Sequence, residues 1–423
     1  MLRTGHEVRL LQSGVAFFPA LEQAIDHASQ SVWIETYIFH DDESGRRIAA
    51  ALVRAATRGV EVRLVVDGYG TGTLRGSLAT LLRAAPVAVR VFRPLPRWRL
   101  ERQALRRLHR KLALVDRQTA FVGGINLIDD HEDPVRGRLD APRLDFAVEV
   151  RGPLVAQIEP AMKRVWRRAT PMAIASGAAV GPQFDAPSGT PAPSGTPAPS
   201  GRLLQATSDA PTGPAVEPIP IAATEAAVLH RSVRAAFAER DNWLNRRTIE
   251  RAYLRAIGAA RHDVLIACAY FFPGAKIRRA LAEAAARGVR VRLLLQGQIE
   301  YRLPHFGTLA LHEELLRAGI EIIEYRPSFL HAKLALADQW LTIGSSNIDP
   351  FSLLLAREAN VIARDPALAA DLRERIERAI ADGGSPVRWS QVIRRPWWVR
   401  IAARAAAAVL RVGVAISGRG LRY

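Results

Sequence analysis

The chain of 423 residues holds a single cysteine, Cys268, which excludes an internal disulfide framework and fits a reducing compartment. No run of about eighteen uncharged apolar residues appears, so the pattern of a membrane-spanning helix is missing. The nearest approach, 401–416, is cut by Arg404 and Arg411. The first residues offer no apolar core of signal-peptide length, because Arg3, His6 and Glu7 interrupt them. A P-loop, a dinucleotide fingerprint and a cysteine-rich zinc pattern are also lacking. Acidic residues are scarce: 41 against 59 basic ones, for a formal charge of +18. That excess predicts attraction to polyanions, either nucleic acid or an anionic membrane surface. Lysine itself is almost gone. Only Lys111, Lys163, Lys276 and Lys333 remain among those basic residues, so their positions carry information.

What is present suffices for two cores, with 49% apolar residues and a length suited to two domains. The two are copies of one unit. Arg58-Gly59-Val60-Glu61-Val62-Arg63-Leu64 returns as Arg287-Gly288-Val289-Arg290-Val291-Arg292-Leu293. Upstream, IETYIF (34–39) is echoed by IACAYFF (266–272), and downstream Leu108 to Asp116 is echoed by Leu330 to Asp338. Three echoes in one order mark a duplicated domain. Periodicity predicts strands over 32–39 and 60–67 around a helix over 45–58, repeated as 263–271, 289–296 and 276–287. Each is a βαβ unit, with Gly59 and Gly288 where helix C-terminal glycines belong.

The chemistry sits in the third echo. One copy reads His109-x-Lys111-x4-Asp116-x6-Gly123-Gly124-Ile125-Asn126, the other His331-x-Lys333-x4-Asp338-x5-Gly344-Ser345-Ser346-Asn347. Two residues apart on a strand, His and Lys point to the same face. The glycine-rich segment lets backbone N–H groups and an Asn amide approach an anion closely. Brought together, the copies give two imidazoles, two ammoniums and two amides, a set that suits a phosphodiester. One neutral His attacks phosphorus while the other, protonated, supplies the leaving alkoxide with a proton. The lysines and Asn126, Asn347, Gly124 and Ser345 are expected on the phosphate oxygens. No metal or other cofactor is expected, because the lysines supply the charge a cation would bring. Asp145 and Glu358, at matching places on the following strands, are the candidate partners that orient the imidazoles. Asp116 and Asp338 belong to the catalytic motif, yet lie five residues beyond the lysines, where they can brace the turn. The eight other histidines show no metal-ligand spacing.

This doubled pattern resembles the phospholipase D superfamily, whose signature is H-x-K-x4-D-x6-G-[GS]-x-N. Finer features are similar to the bacterial cardiolipin synthase B group, the form without N-terminal membrane helices. They include Tyr37-Ile38-Phe39 with Asp42 and Gly45, Asn245-Arg246-Arg247, Ala269 to Gly274, and GSSNIDP from Gly344. The second copy departs by one residue between Asp338 and Gly344, around Gln339-Trp340, which bears on the register of Asn347. The resemblance implies two tandem α/β lobes, each a mixed sheet flanked by helices, related by a pseudo-two-fold axis with one active site at their interface. It implies phosphatidyl transfer between two phosphatidylglycerol molecules, giving cardiolipin and glycerol. His109 is then the nucleophile and His331 the proton donor.

The expected organisation is a first lobe over 1–169, a connector rich in Pro, Gly, Ser and Ala over 170–223, a second lobe over 224–384, and a basic segment over 385–423. That last segment has no acid beyond Asp382 and combines eight arginines with Trp389, Trp397 and Trp398. Two roles remain open for it: an interfacial helix on the membrane, or an amphipathic helix packed on the second lobe. Seven arginines between Arg93 and Arg110 suggest a basic lip before His109, or equally a solvated helix. The partner expected is an anionic phospholipid membrane, on the cytoplasmic face of a bacterial cell, and no nucleic acid. Alternatives within the same chemistry are a phospholipase D releasing phosphatidic acid and a nuclease. The nuclease would need aromatics spaced for base stacking, and only Trp98 offers itself.

Overall fold

The computed structural model describes residues 2–94, 106–172, 228–241, 245–350, 352 and 356–417, with the backbone alone of 413–417. All but the first three residues of the expected connector lie outside these, as do 95–105 of the basic stretch, Trp98 among them.

The strands of the first half are β1 (Arg3–Gln12), β2 (Ser31–Thr36), β3 (Glu61–Asp67), β4 (Ala88–Phe92), β5 (Lys111–Val115), β6 (Thr119–Gly123), β7 (Glu132–Asp133), β8 (Gly137–Arg138), β9 (Phe146–Arg151) and β10 (Thr170–Pro171). The second half supplies β11 (Leu229–Arg240), β12 (Asp263–Cys268), β13 (Arg290–Gln296), β14 (Glu321–Tyr325), β15 (Lys333–Ala337), β16 (Trp340–Gly344), β17 (Glu358–Arg364) and β18 (Gly384–Pro386). All but the small β7–β8 ribbon join one 16-stranded sheet, in the order β10-β4-β3-β2-β5-β6-β9-β1-β11-β17-β16-β15-β12-β13-β14-β18. Read inwards from either edge, the order names equivalent strands in turn. The antiparallel pair β1–β11 lies at the centre, so the sequence repeat appears as a palindrome in the sheet.

The predicted βαβ units are there. β2 and β3 pair in parallel around the helix Glu43–Thr57, and β12 and β13 around the helix Ala275–Ala286. Asp42 caps the first helix by accepting from Gly45 N at 2.8 Å. Gly59 and Gly288 follow the two helices with φ of +89° and +86°, which a side chain would strain. Both strands are shorter than periodicity suggests. Ile38 N leaves the ladder for the Asn126 side chain, and Tyr270 N leaves it for Asn347.

Among the described residues the three largest apolar clusters comprise one within each half and one that belongs to both. The shared cluster joins Leu10, Phe146 and Val148 to Val233, Leu334 and Val361, under the helices Val155–Trp166 and Pro366–Gly383. The described parts of the two halves accordingly pack as one compact unit, Met1–Ala179 with Ala227–Tyr423. The missing residue of the second copy falls in a hairpin. Val115 pairs with Thr119 across a three-residue turn, whereas Ala337 pairs with Trp340 across a two-residue turn. Because the difference is absorbed there, Asn126 and Asn347 each keep their place three residues beyond Gly123 and Gly344.

Candidate active site

Both histidines stand just before a strand that carries the lysine, β5 or β15, at the junction of the halves. The backbone crosses that junction twice. His109 N donates to Arg357 O at 3.1 Å and His331 N to Leu144 O at 2.8 Å. These bridges lay each histidine beside the acid of the other half. His109 Nδ1 is 2.9 Å from Glu358 Oε1, and His331 Nδ1 is 2.7 Å from Asp145 Oδ2. An acid on Nδ1 fixes the ring and leaves Nε2 as the reactive nitrogen. Both acids are buried.

The two lysines are buried as well, each donating Nζ to the carbonyl of its own histidine: Lys111 to His109 O at 2.7 Å, and Lys333 to His331 O. Burial pushes Lys111 down to about 7, with the Lys333 charge adding to the effect. Lys333 is lowered by burial too. Burial drives His331 down to about 3, helped by Lys333 and opposed by Asp145. His109 is lowered by burial despite the pull of Glu358. For Asp145 burial acts upwards, but the Lys333 and His331 charges outweigh it and hold the carboxyl low. Burial is the first cause of the shift in each of these lysines and histidines. A phosphodiester supplies negative charge and raises the affinity of these groups for protons.

Asn126 and Asn347 are each fixed through the amide oxygen, by Ile38 N at 3.1 Å and Tyr270 N at 3.4 Å, so the NH2 is the group left to donate to a phosphate. Tyr37 sets its ring edge-on to His109 at 5.1 Å. A cavity of about 370 Å³ opens beside His109, lined among others by Tyr37, Phe271, Phe272, Pro304, Asn347 and Leu410.

Residues 21–133 and 253–380 match the family described as "Cardiolipin synthase, PLD-like domain". Cardiolipin synthase B of Salmonella typhi is 35% identical over 398 residues, 94% of this chain and 86% of that one. Cardiolipin synthase B of Escherichia coli K12 is 33% identical over 408 residues, with the same two coverages. This chain belongs to that family. The fold is shared more widely: phosphatidylserine synthase of Haemophilus influenzae superposes with a TM-score of 0.66 at 13% identity, covering 96% of this chain and 94% of that one. Polyphosphate kinase of Porphyromonas gingivalis gives 0.53 at 14%, covering 96% and 53%.

Among the residues singled out from sequence, His109, Lys111, His331, Lys333, Asn126, Asn347, Asp145 and Glu358 gather around this junction of the PLD-like halves. Asp116 and Asp338 do not, which corrects their place among the catalytic groups. They stand at the far end of β5 and β15, roughly 17 Å from the lysines at the strand rise per residue. Asp116 accepts from the N–H groups of Ser29, Gln30 and Ser31, and Asp338 from those of Arg261, His262 and Asp263. Both have positive φ, so they build the hairpin. Gly124 and Ser345 also change roles. A Cβ on Gly124 would lie 2.3 Å from Asp145 Oδ1, so the glycine makes room for that carboxylate. Ser345 Oγ donates to Glu358 Oε2 at 2.5 Å, anchoring the acid rather than a phosphate. Arg110 is no part of a basic lip. It is fully buried, bonded to Glu35 and to Glu239 Oε1 at 2.9 Å, and so ties the halves together.

Sequence reasoning passed over Asp67 and Gln296. They accept from the N–H of the residue before each histidine, Leu108 at 2.8 Å and Leu330 at 3.3 Å. Their signal was available: each is the polar residue that ends a parallel strand, where open α/β sheets place their ligands.

Proposed function

We propose that this chain acts on a membrane surface and joins two phosphatidylglycerol molecules into cardiolipin and glycerol, with a phosphohistidine on His109. The observation that carries the reading is the exchange of acids between halves, which equips two imidazoles for complementary work at one phosphorus. In the first step His109 Nε2 attacks phosphorus, the P–O bond to glycerol breaks, and His331 gives its proton to the departing oxygen. In the second, the hydroxyl of another phosphatidylglycerol returns a proton to His331 as its oxygen attacks phosphorus. The P–N bond then breaks, freeing His109 and cardiolipin. Lys111, Lys333 and the two Asn amides stabilise charge on the non-bridging oxygens throughout. The apolar cavity beside His109 suits the diacylglycerol part of the donor and supports His109 as nucleophile. Purified protein on phosphatidylglycerol vesicles, with a chelator present, is expected to yield cardiolipin and glycerol in equal amounts by lipid chromatography. Phosphatidic acid as the sole product would replace the synthase reading by hydrolysis.

The helix Trp397–Ser417 supports the membrane placement, and it joins the two roles left open by its sequence. One face packs on the second half through the buried Ala403, Ala407 and Leu410, and Leu410 also walls the cavity beside His109. On the other side Trp397, Trp398, Ile401, Val409 and Val412 stand exposed, with Trp397 at 72%. Arg400, Arg404 and Arg411 are exposed along the same helix. Apolar residues interleaved with arginine suit an anionic bilayer at headgroup depth. None of the described helices is long and apolar enough to cross it. The double substitution W397S/W398S is expected to weaken binding to phosphatidylglycerol vesicles about tenfold in sedimentation, from the lost burial of two large rings. Unchanged binding would remove the helix from the membrane contact.

A further inference from the structure

The two-histidine chemistry is symmetric, but its surroundings are not. Phe39 bridges Leu127 and Phe271 bridges Ile348, the residues after Asn126 and Asn347. Tyr37 is thereby the equivalent of Ala269, and Tyr270 that of Ile38. Tyr270 has no aromatic or polar counterpart in the first half. Its ring lines the same cavity as His109 and Asn347, and its hydroxyl donates to Glu300 Oε2 at 2.5 Å. Glu300 lies in the loop after β13, close enough to Lys333 for each to respond to the other's charge. That loop is fixed from the first half, where Arg136 Nη2 donates to Ile299 O at 2.6 Å and Glu300 O at 2.8 Å, and Tyr301 sets its ring edge-on to Tyr270. Neither step of the histidine chemistry needs this pair.

Resting on the synthase reading above, we infer that Tyr270 and Glu300 recognise the alcohol: the glycerol that leaves in the first step and the glycerol headgroup that attacks in the second. By microscopic reversibility both visit one place, beside the imidazole that carries the proton. His331 and Lys333 make up that side of the site, and Glu300 adjoins it, whereas the cavity at His109 is apolar. The attacking headgroup has one hydroxyl on its own phosphate and one at the reacting phosphorus, which leaves a third without a partner. In a site closed to water that hydroxyl needs an acceptor. The Glu300 carboxyl offers one, with Tyr270 holding its orientation. Burial raises Glu300 above the usual carboxylate range, with Tyr270 and the Arg143 and Lys333 charges acting against it. Lys333 and Glu300 already offset one another there, so a neutral diol fits, whereas a departing ammonium alcohol would add an uncompensated cation. The inferred preference is therefore for a polyol headgroup over ethanolamine.

The test reads a ratio, which a general loss of folded enzyme leaves unmoved. E300Q and Y270F are each assayed on phosphatidylglycerol vesicles for cardiolipin against phosphatidic acid, and on mixed vesicles for phosphatidylethanolamine as phosphatidyl donor, with ethanolamine as the leaving alcohol. The expected result is a fall in the cardiolipin to phosphatidic acid ratio of roughly tenfold, the size of one lost hydrogen bond to a charged group. A raised KM for added free glycerol as acceptor should accompany it, together with partial recovery in E300D. Cardiolipin and phosphatidic acid falling in step, or a ratio unchanged, would overturn the inference and leave the pair a structural one. Wild-type preference for phosphatidylethanolamine over phosphatidylglycerol as the donor would overturn it as well. Wild-type protein that makes phosphatidic acid alone would instead remove the synthase reading on which the inference rests.

Discussion

His109→Ala and His331→Ala are each expected to lower cardiolipin formation by about four orders of magnitude, the usual scale for losing a member of a coupled nucleophile and acid–base pair. The two losses should not multiply. Neither half holds a nucleophile and a proton donor together, so one deletion already disables both steps, and the double variant should be no slower than either single one. Quantifying cardiolipin from phosphatidylglycerol vesicles across the three variants checks this. Turnover within tenfold of wild type in either single variant would sink the shared site.

Glu358→Gln and Asp145→Asn are expected to cost about 10²- to 10⁴-fold, since a carboxyl replaced by an amide no longer sets the tautomer and charge of its imidazole. Their signatures should differ, because each acid serves the histidine of the opposite half. A phosphatidyl ester of p-nitrophenol carries a leaving group that departs without a proton. With that substrate Asp145→Asn should recover most of its p-nitrophenol burst, since its partner His331 is the proton donor. Glu358→Gln should remain slow, because its partner His109 is the nucleophile. The reverse pattern would exchange the two histidine roles. Equal rescue of both variants would mean that the acids hold the fold together without acting on the rings.

Much of the site was legible in the chain because its chemistry is local. His-x-Lys on a strand needs only the period of two to place both groups on one face, and the scarcity of lysine made Lys111 and Lys333 stand out. Duplication supplied the second copy. Asp116 and Asp338 were less legible. The motif places them with the catalytic groups, but a short strand carries them to its far end, where three backbone N–H groups claim each carboxylate. Arg110 misled for a related reason. It is one of several arginines in a row, and the neighbours that neutralise it, Glu35 and Glu239, come from strands remote in sequence. Ser345 aligns with Gly124, and only the packed site shows that one makes room for an acid while the other bonds an acid.

By itself the sequence determined the repeat, the βαβ units, the paired histidines and lysines, and the acids at matching places on the following strands. These follow from short-range spacing, which strand and helix geometry convert directly into facing groups. Tertiary structure alone decided that the acids are exchanged between halves. That exchange depends on the backbone bridges at Leu108–Arg357 and Leu144–Leu330, which form only when β1 and β11 close the two halves into one sheet. It alone decided that an apolar cavity opens beside His109, with Tyr270 in its wall reaching Glu300, since no spacing along the chain connects Glu300 to Lys333. Pairings across a two-fold junction leave no periodic trace in either half, and they become visible only when the halves meet.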